Sequence, residues 1–210
     1  MTDQLWTSGD DRLIEVSELG FAVDLIDGYS PQGSHQIKQK TKILEMCHSF
    51  PDVLHRHCLA GHLTASALVV NESRDQVLLH HHAKLNRWLQ FGGHCDGDGN
   101  LVHVAWREAV EESGIVDLLI DPNIIDLDIH TIPAIGKTPE HLHLDVRFVA
   151  FARANSVPVA SDESNALMWY RVADVGCIHT DESVIRLIEL CRDGDATVRF
   201  GAPASKGDGS

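Results

Sequence analysis

Seventeen basic against 31 acidic residues in a chain of 210 give a formal charge of -14, which excludes a general binder of nucleic acid or of anionic membranes. With 43% hydrophobic residues the chain is long enough for one sizeable core, while two full domains would be cramped. The five cysteines, Cys47, Cys58, Cys95, Cys177 and Cys191, are odd in number and lack a C-x-x-C pair, so a reducing, cytoplasmic compartment is expected. Neither a signal peptide nor a membrane span is legible.

In chain order, residues 1–35 read as an N-terminal extension, and 36–50 as a helix with Ile37, Ile43, Leu44 and Cys47 as a partial apolar stripe, stopped by Pro51. Residues 62–71 and 76–82 are β-prone runs joined by Glu72-Ser73-Arg74-Asp75, the pattern of a hairpin. Residues 88–91 form a short strand leading into glycines. Residues 101–113 contain no Pro or Gly and read as a helix capped by Gly114. Strands follow at 124–130, 143–152 and 167–171, then an amphipathic helix over 181–192 with Val184, Leu187, Ile188 and Cys191 on its inner face. The small, polar tail 201–210 is expected to be disordered. Helices interleaved with strands indicate an α/β layered domain, placed at 36–200.

The helix at 101–113 carries Glu108, Glu111 and Glu112 at i, i+3 and i+4, within about a third of its circumference. Such an acidic face is often merely solvated; like charges there repel unless a divalent cation reverses the sign. The whole string GHCDGDGNLVHVAWREAVEESGI, residues 93–115, is rarer. It resembles the Nudix box, matched at Gly93, Arg107, Glu108, Ala109, Glu111, Glu112, Gly114 and Ile115. One position departs: Gly99 stands where the box has its first Glu, the usual partner of the box Arg, so Asp98 or Asp96 becomes the expected partner of Arg107.

The resemblance implies a Nudix-like α/β/α sandwich with a mixed β-sheet and a loop-helix-loop metal site. It implies hydrolysis of a diphosphate linkage in a small-molecule nucleoside diphosphate derivative, NDP-X to NMP + P-X, with Mg²⁺ or Mn²⁺. Glu108, Glu111, Glu112 and the carbonyl of Gly92 would be ligands, and Arg107 would orient the glutamates. The general base is a box glutamate, Glu108 or Glu112, or a residue of a later loop, Glu163 or Glu140. A homodimer is compatible with the resemblance. The alternatives are a non-catalytic Nudix-like nucleotide-binding or sensor module, which loss of box glutamates would favour, and an isopentenyl diphosphate isomerase-like enzyme. The latter would need a Cys-Gly-His segment, where this chain has Gly92-Gly93-His94.

Fourteen histidines are the second unusual feature. In a strand His141, His143 and Asp145 share a face, as do His80 and His82. Imidazoles with a carboxylate suit Zn²⁺ better than Mg²⁺. His94, His141, His143 and Asp145 are therefore candidates for a second metal or for substrate, against the plainer reading of polar positions on half-exposed strands. Cys95 has no neighbouring cation to activate it.

Overall fold

Ten consecutive residues of the central strand are buried, since it has partners on both edges and helices over both faces. The computed structural model describes residues 5–134, 136, 138–161 and 164–193; the tail 201–210 lies outside them. The elements run α1 (Leu19–Gly28), α2 (Gly33–Ser49), β1 (Gly61–Val70), β2 (Gln76–His82), β3 (Arg87–Leu89), β4 (Phe91–His94), α3 (Leu101–Ser113), β5 (Leu119–Ile132), β6 (His141–Phe151), β7 (Ser164–Arg171), a 3-10 turn (Val172–Cys177) and α4 (Glu182–Asp193).

The sheet is seven-stranded and mixed. On one edge β1 runs parallel to β6, from the Gly61–Leu142 pair to the Val70–Phe151 pair, and β6 is antiparallel to β5. On its other edge β1 pairs antiparallel with β4 through residues 64–67 and with β2 at Val69 and Val70. β2 also pairs with β3 and β7. The β1–β2 hairpin is the one expected; Asn71 Oδ1 accepts from the N–H groups of Asp75 and Gln76, both at 3.0 Å.

Alternation along β1 sorts the two faces. Leu63, Ala65, Ala67 and Val69 join Leu144, Val146 and Phe148 in the core covered by α1, α2 and α3, while Leu68 and Val70 join Val149 and Phe151 under α4. The inner face of α4 is the expected one, Val184, Leu187, Ile188 and Cys191. Before these apolar pairs, the α4 face of the sheet is polar: Thr64 and Ser66 stand beside Asp145 and Arg147. Arg147, 2% exposed, pairs with Asp145 (2.7 Å), Asp128 (3.0 Å) and Asp126 (3.2 Å), and Arg186 of α4 reaches the latter two.

Three elements differ most from expectation: the single strand expected at 88–91 is two, β3 and β4, and the second runs through Gly92 and Gly93. α1 lies within the first 35 residues, where no helix is legible, and its Ala22 and Ile26 are fully buried in the main core. β5 begins five residues before the expected start at Ile124, because a register irregularity between Asp121 and Asp126 absorbs Pro122 and Asn123. No helix among the described residues is long and apolar enough to cross a membrane.

Candidate active site

Helix α3 starts at Asn100, whose side chain accepts the His103 N–H at 3.3 Å, and stops at Gly114, held at φ 69°. Leu101, Val102, Val104, Ala105 and Ala109 bury one side of it. The other side carries the glutamates. Glu112 is 7% exposed, and its carboxylate accepts the N–H of Gly92 at 3.1 Å. Glu108 lies over Gly93, where a β-carbon would fall 2.3 Å from Oε2. Arg107 Nη2 donates to Glu108 Oε1 (2.8 Å) and to the carbonyl of His94 (3.1 Å). Glu111, one turn on from Glu108, is exposed. Two carboxylates thus close on the Gly92–Gly93 backbone, with Glu111 one turn along the same helix; hard oxygens of this kind are what Mg²⁺ or Mn²⁺ takes.

The polar strip on the α4 face ends in histidines. His62 pairs with His143 across β1 and β6, and His94 pairs with Thr64 across β1 and β4, so the three rings share one side of the sheet. Their centroids lie 5.1 Å (His62–His94), 4.8 Å (His62–His143) and 5.2 Å (His94–His143) apart. His62 is 2% exposed, and neither ring nitrogen makes a hydrogen bond of ordinary geometry among the described residues. Burial, followed by the neighbouring imidazoles, lowers the pKa of His62 to about 4, against an opposing backbone interaction at Cys58, and that of His143 to about 2, so both are neutral near pH 7. His141 and His130 border the group, 5.0 Å from His62 and 5.4 Å from His143 respectively.

No family model matches the chain, and no curated protein matches it. Its structure is similar to that of the Ap4A hydrolase binary complex from C. elegans, with a TM-score of 0.51 and 19% identity over 61% of this chain and 93% of that one. It is also similar to the Nudix hydrolase RenU from M. smegmatis (TM-score 0.49, 21% identity, 68% and 91% covered). A third similar structure is the Nudix domain of NrtR from Shewanella oneidensis complexed with ADP ribose (0.48, 18%, 70% and 95%).

The chain has the Nudix fold.

The segment that resembles the Nudix box departs from that pattern at Gly99, where the fold leaves no room for a side chain. A β-carbon there would meet the Glu18 carbonyl oxygen at 2.3 Å, and the Gly99 N–H donates to the Val16 carbonyl at 2.5 Å. The segment before α1 therefore lies on the box loop, and Asn100 Nδ2 donates to the carbonyls of Arg12 and Ile14. The expected partners of Arg107 are corrected. Asp98 accepts from Val16 N, Asn100 N and His103, and Asp96 pairs with Arg56, leaving Arg107 on Glu108 and the His94 carbonyl. Its Nε is buried with no hydrogen-bond partner.

Of the four residues grouped from the sequence, His94 and His143 stand together, with His62 as a third that the strand reading leaves as an ordinary first residue. His141 is at the border, its Nδ1 on the Pro139 carbonyl (2.9 Å). Asp145 is engaged by Thr64 Oγ1 (3.1 Å), Ser66 Oγ (2.8 Å) and Arg147 Nε (2.7 Å). His80 and His82 lie on the opposite face, where His80 meets Ser164 Oγ at 2.8 Å. Cys95 is 1% exposed and burial raises its thiol pKa well above the usual range, which removes it as a nucleophile near neutral pH. Glu140 is exposed just before β6, and Glu163 lies outside the described residues.

Proposed function

We propose that the chain is a metal-dependent hydrolase that cleaves the diphosphate linkage of a nucleoside diphosphate derivative, giving NMP and P-X. The observation that carries this reading is the closure of Glu108 and Glu112 on the Gly92–Gly93 backbone, with Glu111 beside them. The Nudix fold agrees with the fold that the box-like segment implies. Mg²⁺ or Mn²⁺ bound by Glu108, Glu111, Glu112 and the Gly92 carbonyl would neutralise phosphate oxygens and lower the pKa of an attacking water. Without such an ion a chain of charge -14 would repel a diphosphate.

The protein's own part is orientation. The Gly92 N–H fixes one carboxylate and Arg107 fixes another, its planar fork anchored on the His94 carbonyl. The base that takes the water's proton is a box glutamate or Glu163.

The test is a phosphate-release screen over nucleoside diphosphate sugars, dinucleoside polyphosphates and nucleoside triphosphates, with Mg²⁺, Mn²⁺ and Zn²⁺ compared. Release of NMP by the wild type and its loss in Glu112→Gln is the expected result. Nucleotide binding without release under any metal would replace the hydrolase with a binding module.

A further inference from the structure

We propose that His62, His94 and His143 form a site for one divalent transition-metal ion, Zn²⁺ by the chemistry of its donors, distinct from the carboxylates of α3. Each offers a ring nitrogen, and the three nitrogens lie within 4.8 Å of one another. Three imidazoles with a coordination position left over are the donor set of open zinc sites, whereas Mg²⁺ takes oxygen. A tetrahedral ion with Zn–N bonds of roughly 2.0–2.1 Å spaces its ligand nitrogens about 3.4 Å apart, so binding draws the nitrogens together by at most about 1.4 Å.

The buried ring of His62 is the strongest sign. An unpaired buried polar group is destabilising, and an apolar residue at this second position of the buried strand would avoid that. Within the described residues neither nitrogen of His62 makes a hydrogen bond of ordinary geometry, and the Cys58 backbone offsets only part of the effect of burial. A metal ion among the three rings supplies a partner. The sheet holds the donors rigidly, since two are directly paired on β1 and β6 and the third is on β4 in register with Thr64. His94 and His143 are only half-buried, which leaves the open position accessible from solvent.

The site is coupled to the carboxylates by one residue. The His94 carbonyl accepts from Arg107, whose same nitrogen donates to Glu108, so an ion on the His94 ring also steadies the strand against which Glu108 rests. Asp145 takes no part as a ligand, because its oxygens are held by Thr64, Ser66 and Arg147.

The experiment uses the full chain without a histidine tag, stripped with chelator and titrated with Zn²⁺ and with Co²⁺. Wild type should bind about one ion per chain and give the visible Co²⁺ absorption of a nitrogen-ligated four-coordinate site. His62→Gln, His94→Gln and His143→Gln should each weaken Zn²⁺ by more than about 100-fold, beyond the loss seen for residues that merely support a ligand. Glu111→Gln should leave that affinity unchanged, so the result does not depend on whether the hydrolase reading survives. If His62→Gln fails to fold, the two half-buried variants and the wild-type Co²⁺ spectrum decide. Sub-stoichiometric Zn²⁺ in wild type, affinity unchanged in His94→Gln and His143→Gln, or binding that follows Glu111→Gln would each overturn the site.

Discussion

The carbonyl oxygen of Glu18 lies 2.3 Å from where a β-carbon on Gly99 would stand. The atom that excludes a side chain is backbone, tied down by the Gly99 N–H on Val16 and the Val16 N–H on Asp98. Gly99→Ala should therefore displace residues 16–18 and destabilise the fold by about 1–3 kcal/mol. Denaturant unfolding and protease cleavage within residues 5–18 measure this. Gly99→Glu should be destabilised as well and should not raise turnover; a more active Gly99→Glu would show that Arg107 regains a partner there.

The carboxylates of α3 give a second expectation. Glu111→Gln and Glu112→Gln each keep the shape of the side chain and remove a charge, so hydrolysis should fall by at least about 100-fold with an unchanged melting temperature. Glu112→Gln still offers an oxygen to the Gly92 N–H, which protects the strand contact. Wild-type turnover in both variants would sink the hydrolase reading.

How much of this is legible in sequence depends on how local the cause is. The spacing of Glu108, Glu111 and Glu112 and the stop at Gly114 are properties of one helix, and the strands at 76–82 and 143–152 announce themselves by β-prone composition. α1 is not legible: its ten residues have a glycine near each end and its N-cap makes no side-chain hydrogen bond. His62 is missed because its significance lies in register. Only the parallel pairing of β1 with β6 brings it against His143, and only the return through β4 adds His94. Likewise the partners of Arg107 depend on a distant segment near Val16 that covers the loop.

The buried charges around Arg147 fix a third prediction. Its guanidinium is surrounded by the carboxylates of Asp126, Asp128 and Asp145; burial raises the pKa of Asp128, but His130, Arg147 and Arg186 hold it well below the usual carboxylate range. Arg147→Met leaves Arg186 as the arginine on Asp126 and Asp128 and leaves Asp145 with only the hydroxyls of Thr64 and Ser66, and should cost about 3–5 kcal/mol in urea unfolding. A loss under about 1 kcal/mol would show that Arg186 suffices.

The pH dependence of stability should carry a contribution from His80. Burial first, then His82 and His81, lower its pKa to about 4, against about 6.5 for an unfolded chain. Between those values the unfolded state binds a proton that the folded state refuses, so stability falls as pH drops from about 6.5 towards 4. His80→Gln removes that titration. Its loss of stability between pH 7 and pH 5 should be smaller than that of wild type, and an equal loss would assign the dependence to other groups.

Gly92 and Gly93 are neighbours that should fail in different ways. A β-carbon on Gly92 would meet Ser66 Cβ at 2.3 Å, Ser66 Cα at 2.8 Å and the Ala65 carbonyl oxygen at 2.9 Å, atoms of a strand buried along its whole length. That strand has nowhere to go, so Gly92→Ala should weaken the β1–β4 pairing and lower stability by about 1–3 kcal/mol. At Gly93 the obstacle is the Glu108 carboxylate, the mobile end of a side chain, at 2.3 Å. Gly93→Ala should keep its melting temperature while swinging that carboxylate off Arg107. Misplacement of a positioned group by about an ångström costs on the order of 100-fold in rate. Thermal unfolding and turnover measured on both variants separate the two effects: a Gly93→Ala protein that is unstable but fully active per folded molecule would show that Glu108 does not serve the reaction from this position.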